Sequence, residues 1–464
     1  MNKIVKYALF VLAVCVLGAA TWAVWRHNHR IDADKILVHS VLKDKTFASK
    51  VQQIEADGMK AYLLEEHSNP IIAVSFMFTN AGSAYEAENK QGLTSLLSDM
   101  LLNGAGDYDA LRFKDISEEY GIRIGYEAGA DDFGGSVEMP TMAKDMAIKL
   151  LTSTLYKPYF TYDYIALTKN QMLTALRRHK ENPSGILADK FAEIIFAGHP
   201  YARPSIGTPE TISSLTRGDL VQFMRTHLTK RNIIIGIAGD INATDAEQLI
   251  RDLFGGLPAE FAVERIDEVA LETTGAEHNI DHNSPQAITH FVTEGTHRNS
   301  PDFYPLYLAN YIFGGSGLNS RISKIAREKE GLTYGIYTYL TSKETAALLS
   351  GGYSSTPENF SKAKDILLQE WQKMGADGIT TAELKQAKDA LIAAHNLRFA
   401  SISGIAEMLV AMQQYNLGAD FLEKRNDYVR AVTLEQVNAA AQKYFGGLPD
   451  FVTIGSQTLT EEEN

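Results

Sequence analysis

The strongest constraint on the fold is a long repeat. Thr216 opens TRGDLVQFMRTHLTKRNIIIGIAG, which ends at Gly239, and Thr433 opens TLEQVNAAAQKYFGGLPDFVTIG, which ends at Gly455. Each copy sets a Thr ahead of a helical pattern with an acid in its first turn (Asp219; Glu435). A short turn follows, then an apolar strand that closes on Gly. The two openings lie 217 residues apart. Solenoids repeat every ~20–50 residues, so a period this long indicates a duplicated domain of roughly 200 residues. The length of 464 residues agrees, since single cores stop growing near ~250–300.

The rest of the chain reads as mixed structure. MKAYLLEEH (59–67) and IIAVSFMFTN (71–80) alternate as strands around the turn Ser68-Asn69-Pro70, and NIIIGIAGDI (232–241) is a buried strand. Helical patterns cover 91–103, 110–120, 142–155 and Asp163 to Arg178, and GIRIGYEAGADDFGGSVEMP (121–140) reads as a hairpin. The second copy opens with strands from His278, has helical patterns at 301–313, 357–374 and 380–395, and strands over 333–353. Without regular strand–helix alternation the expected class is α+β: two homologous domains, each a mainly antiparallel sheet covered by helices. The expected division is 1–30 as a leader or anchor, 31–258 as the first domain, 259–277 as an acidic linker and 278–464 as the second domain.

Composition narrows the function classes. Apolar residues make up 45% and charged residues 22%, a globular balance, and the net charge of -13 argues against a nucleic-acid partner. Cys15 is the only cysteine, so no intrachain disulfide and no Cys-based zinc cage can form. Residues 7–25, YALFVLAVCVLGAATWAVW, form an uncharged run of membrane-spanning length flanked by Lys3, Lys6, Arg26 and Arg30. Two readings fit it: a cleaved signal peptide, or an uncleaved anchor in the inner membrane. Both export the body, so the expected location is periplasmic.

Chemistry concentrates in two stretches. GLTSLLSDMLLNGAG (92–106) has a helical apolar face, and GGSGLNSRISKIAREKEGLTY (314–334) runs from a Gly-rich turn into a short helix with Leu318, Ile322 and Ile325 at helical spacing. Gly331 stops that helix. Arg327 and Tyr334 are thereby delivered seven residues apart, a cation and a phenol donor suited to a substrate carbonyl. Gly314, Gly315 and Gly317 lack the Lys of a phosphate loop and read as a tight turn. His278 and His282 have metal-motif spacing, but in a strand residues four apart stand roughly 13 Å from each other, too far to share an ion at about 2 Å.

These stretches, with GHPYARPSIGTPETISSLTRGDL (198–220) and DFYPLYLANYIFGGSGLNSRISKIAREKEGLTYGIYTYL (302–340), resemble the pitrilysin/insulinase family of zinc metallopeptidases over about residues 55–456. The chain is most similar to its two-domain, processing-peptidase-like members. Active members carry His-x-x-Glu-His on the first helix; here those positions are Ser95, Ser98 and Asp99. The family's third ligand, a Glu, falls at Thr174 to Leu176, and no acid occurs between Asp163 and Glu181. A hydroxyl and one carboxylate make a poor zinc pair, so no metal is expected in this chain.

The resemblance implies that Arg327 and Tyr334 are the family's second-domain catalytic pair. It also implies that 130–140, around Gly134 and Gly135, is an edge strand that takes an extended peptide. The expected function is the non-metal subunit of an exported heterodimeric zinc peptidase. A homologous subunit bearing His-x-x-Glu-His would supply the zinc, and the two would close like a clamshell on peptide substrates. The alternative is a catalytically inactive scaffold or peptide-binding member of the family.

Overall fold

A computed structural model describes residues 50–455 apart from 261–262, 396–398 and 400. The apolar run 7–25 lies outside the described residues. Among those that are described, no helix is long and apolar enough to cross a membrane.

Eleven strands are described. They are β1 (Gln52–Ala56), β2 (Met59–Glu65), β3 (Ile71–Thr79), β4 (Arg123–Ala128), β5 (Asp132–Pro140), β6 (Ile233–Gly239), β7 (Glu277–Ile280), β8 (Ala287–Glu294), β9 (Gly335–Ser342), β10 (Ala347–Ser355) and β11 (Asp450–Ile454). The helices preceding β7 are α1 (Leu93–Met100), α2 (Ala110–Tyr120), α3 (Lys144–Tyr156), α4 (Tyr162–Glu181), α5 (Pro183–Ile195), α6 (Pro209–Ser214), α7 (Arg217–His227) and α8 (Ala243–Phe254). Those after β8 are α9 (Phe303–Asn310), α10 (Arg321–Ser323), α11 (Pro357–Asp377), α12 (Thr381–His395), α13 (Ile402–Gln414), α14 (Phe421–Ala431) and α15 (Leu434–Phe445).

The strands form two sheets, in the orders β1-β2-β6-β3-β5-β4 and β7-β11-β8-β10-β9. Without β1 the first order is the second one repeated, strand for strand. The pairing sense repeats too: β2 runs parallel to β6 and β7 parallel to β11, and every other pair is antiparallel. The duplication legible in the sequence is therefore a duplication of topology. Its two signature segments are α7–β6 and α15–β11. Thr216 and Asp219 form a reciprocal capping box at α7, and Thr433 forms one with Gln436 at α15. Glu435 stands in the first turn of α15 without closing the box.

Strand side chains sort by the two-residue period. Ile72, Val74, Phe76 and Phe78 of β3 enter the helix-covered core with α1, α3, α7 and α8. Ala73 belongs to the opposite face, in a second apolar cluster with Leu64, Ala238, Ala406 and Leu409. That face is covered by α13, a helix from the second half of the chain. Reciprocally, Leu187 of α5, from the first half, packs with Val452 and Ile454 on the second sheet. Each half thus lends one helix to the other's sheet, because both sheets are apolar on both faces. The close approach requires a glycine: a Cβ on Gly236 of β6 would lie 2.2 Å from the Ala406 carbonyl oxygen. Gln413 of α13 adds a hydrogen bond to the Ile235 carbonyl at 2.7 Å.

Two sequence expectations are corrected here. The strand around Gly134 and Gly135 is not an edge; β5 lies between β3 and β4, and β4 is the outermost strand. A Cβ on Gly135 would meet the Phe76 and Tyr126 rings, so that glycine serves packing within the sheet. Leu318 does not share the buried stripe of Ile322, since it lies in a separate turn (317–319) and is 55% exposed.

Candidate functional site

Helix α1 is built as an active-site helix would be, yet it carries no such ligands. Leu93, Leu96, Leu97 and Met100 bury its apolar face. Its N-terminus is closed by Glu86, whose carboxylate accepts from the Gly92 amide at 2.8 Å and from the Thr94 amide and hydroxyl, both at 2.6 Å. Burial pushes Glu86 up to about 7, with those hydrogen bonds opposing. Arg203, from the loop after α5, donates to the Glu86 carbonyl at 3.2 Å and ties that loop to the helix.

At the three degenerate positions, Ser95 Oγ donates to the Ser205 carbonyl at 3.3 Å and Ser98 Oγ to the Ser95 carbonyl at 2.9 Å. Asp99 has its carboxyl pushed up by burial. On α4, Thr174 Oγ1 is spent on the Asn170 carbonyl at 2.8 Å, and Leu176 is 2% exposed in the core. A zinc ion needs three protein ligands drawn from imidazole, thiolate and carboxylate. One carboxylate, hydroxyls turned onto backbone and an isobutyl group do not fit it. Among the described residues, no group of three or more His, Cys, Asp or Glu gathers elsewhere as a metal site either. His278 lies in β7, which ends at Ile280, before His282.

The second stretch is constructed differently. Ser320 caps α10, accepting from the Ser323 amide at 3.3 Å, and the helix widens over Lys324–Lys329 into a π turn. The Glu330 amide reaches back to the Ile325 carbonyl at 3.0 Å, the five-residue span of that geometry. Gly331 then takes a left-handed φ of +65°, which ends the helix and turns the chain into β9. Two side-chain bonds clamp the turn: Thr333 Oγ1 to the Ser354 carbonyl and Ser355 Oγ to the Leu332 carbonyl, each 2.6 Å.

Between those clamps Tyr334 stands 77% exposed. Arg327 is half-buried on the π turn. Among the described residues neither Arg327 nor Tyr334 has a hydrogen-bond or ion-pair partner. Neighbouring charges are paired, Glu330 with Lys362 at 3.0 Å and Arg321 with Glu383 at 2.6 Å. A guanidinium and a phenol left free on a braced backbone can both donate to an oxygen brought from outside. Beyond them, Tyr337 and Tyr339 stack as a half-exposed pair on β9, the edge strand of the second sheet. The alternation in YGIYTYL carries that signal in the sequence.

Between the halves runs a polar seam that no local sequence pattern announced. Tyr201 donates to Asp131, whose other oxygen accepts from the Glu344 amide at 3.0 Å. Tyr85 donates to Glu344 at 2.8 Å, and Arg265 pairs with Glu344 at 3.3 Å. Two cavities flank the seam. One, of about 470 Å³, lies on the α13 face of the first sheet and is lined in part by Ser75, Glu127, Gly134, Gly135 and Gln414. Here the two glycines do border open space, although not as an edge. The other, of about 310 Å³, lies where the β4–β5 and β9–β10 turns meet.

Comparison with known proteins agrees with this architecture. A family model described as insulinase (peptidase family M16) matches residues 62–209, and one described as peptidase M16 inactive domain matches residues 214–391. Among curated relatives, a non-peptidase homolog, YmxG, of Helicobacter pylori is 23% identical over 83% of this chain and 89% of its own length. An uncharacterized zinc protease, YmxG, of Bacillus subtilis is 23% identical over 80% of this chain and 89% of its own. A crystal structure of a peptidase M16 inactive domain from Pseudomonas fluorescens superposes with a TM-score of 0.82 at 27% identity, covering 89% of this chain and 99% of that one.

Proposed function

We infer that this chain, which belongs to the insulinase (M16) peptidase family, works as the metal-free subunit of a two-chain peptidase. The observation that carries the reading is the contrast between its two halves. The α1 positions where the family holds zinc are filled by groups that cannot hold it, whereas Arg327 and Tyr334 are braced, accessible and unpartnered. A homologous subunit with His-x-x-Glu-His would bring the metal. In the closed pair the Tyr334 hydroxyl would donate to the oxygen of the scissile peptide carbonyl as negative charge builds there. Arg327, always charged, would hold a neighbouring substrate carbonyl. The substrates are peptides, and export by way of residues 7–25 would place the pair in the periplasm.

Co-expression of this chain with such a homologue tests the reading. The two should co-purify and cleave a fluorogenic peptide that this chain alone leaves intact. Failure to associate would refute it.

A second reading has one specific support, that a relative of similar length is named a non-peptidase homolog. On that reading the exposed Tyr334 and the Tyr337–Tyr339 pair hold peptides or a scaffold partner without cutting. It predicts association without turnover.

A further inference from the structure

The smaller cavity, of about 310 Å³, is lined entirely by polar and charged residues. They come from both halves of the chain: Asp131 and Asp132 from the β4–β5 turn, Lys343 and Glu344 from the β9–β10 turn, and Arg298 from the β8–α9 connection. Arg298 is the unusual member. Its guanidinium carbon lies 4.0 Å from the Phe303 ring centre, 5.3 Å from that of Tyr304 and 5.5 Å from that of Phe421. The rings hold the cation in place but give its N–H groups no oxygen acceptor. Its Nη1 is shut off from solvent and has no hydrogen-bond partner. Nε and Nη2 have no hydrogen-bond partner among the described residues either, but they keep contact with solvent and are the donors a ligand can reach.

The opposite charge lines the same space. Asp132 accepts at Oδ2 from Gln414 at 3.2 Å and sits among Asp131, Glu127 and Glu344. Burial and those like charges push it up to about 6, with the Lys343 ammonium opposing. Glu344 is already engaged by Arg265 and Tyr85, and Asp131 by Tyr201. The charged groups left to a ligand are the Arg298 guanidinium, the Asp132 carboxylate and, over the Tyr201 ring, the Lys343 ammonium, which can share a carboxylate with Arg298.

We propose that this cavity binds a small zwitterion, an unblocked amino acid or dipeptide, with its carboxylate on Arg298 and its ammonium on Asp132. Carboxylate suits the planar fork of an Arg. The volume stands at the lower end of the ~300–1,000 Å³ typical of ligand sites, and charged groups of both signs in the lining suit a zwitterion. None of the residues involved belongs to the Arg327–Tyr334 pair, so the site stands or falls independently of the peptidase reading.

Calorimetric titration of the full chain with glycylglycine, N-acetylglycylglycine and glycylglycinamide tests it, with acetate and inorganic phosphate as simple anions. Glycylglycine should bind, and blocking either end should weaken it about 10–100-fold. Arg298→Met should weaken glycylglycine to the same degree while no longer distinguishing it from the amide. Asp132→Asn should do the same toward the acetylated form. The proposal is overturned by absence of binding at millimolar glycylglycine, by equal binding of free and blocked forms, by acetate or phosphate binding as tightly, or by unchanged affinity in Arg298→Met. Should either variant fail to fold, the ligand series on the unaltered chain still decides.

Discussion

Single residues divide here into those that hold the scaffold and those that face outward. Glu86 belongs to the first kind, since its carboxylate accepts three hydrogen bonds at the start of α1. In Glu86→Gln one oxygen becomes an NH₂ facing an N–H or O–H donor. We expect a loss of about 1–3 kcal/mol in chemical denaturation at pH 7. The pH dependence has a definite sign. Because the folded value near 7 is above the ordinary 4.5, the folded state binds this proton more tightly than the unfolded chain. The stabilisation is complete at low pH and is lost as pH rises through 7. Stability should therefore fall between pH 5 and pH 8, and Glu86→Gln should flatten that slope. Asp132, pushed up to about 6, acts in the same direction and leaves a residual slope. Tyr334 is of the second kind. Exposed and unbonded, it should be replaceable by Phe with a change in unfolding free energy within about 0.5 kcal/mol.

At the scale of elements, local pattern reached some features and missed others for physical reasons. The helix at 92–106, the strands β2, β3 and β6, and the capped segments at Thr216 and Thr433 all follow from periodicity and capping chemistry, which are local. The π turn at Lys324–Lys329 does not. Nor does the break ahead of it: Leu318 lies in a separate turn before the extended Ser320 that starts α10, so it falls outside the buried stripe. The strand holding Gly134 and Gly135 is an edge only by the resemblance; its place between β3 and β4 is set by pairing far apart in sequence, and Gly135 makes room for the Phe76 ring. Helices α5, α6, α8, α13 and α14 lie outside the expected elements, and α5 and α13 are the two exchanged between halves. The exchange supplies a direct test. Gly236→Ala forces a methyl against the Ala406 carbonyl, and repacking α13 should cost about 1–3 kcal/mol in denaturant titration. Helix α1 supplies another. The purified chain, dialysed against zinc and measured by atomic emission, should hold well under one equivalent. A full equivalent would mean that ligands exist beyond Ser95, Ser98 and Asp99.

For the whole molecule, duplication was readable because both copies kept the same cap, helix and strand. Their mutual dependence was not, since it arises from contacts such as Leu187 with Val452 and Ala238 with Leu409, far apart in sequence. The same is true of the seam from Tyr201 through Asp131 to Glu344. The incomplete site also belongs to this scale. The substitutions at Ser95, Ser98 and Asp99 were plain in the sequence, as were Arg327 and Tyr334. What the structure adds is that the turn carrying the pair is braced by Thr333 and Ser355 and that the pair has no partner among the described residues. The most direct test is steady-state cleavage of a fluorogenic peptide by this chain co-purified with a His-x-x-Glu-His homologue, with and without Tyr334→Phe. Loss of one oxyanion donor should lower kcat about 10²–10³-fold with KM little changed. Turnover by the pair that is unaffected by Tyr334→Phe would contradict the divided site.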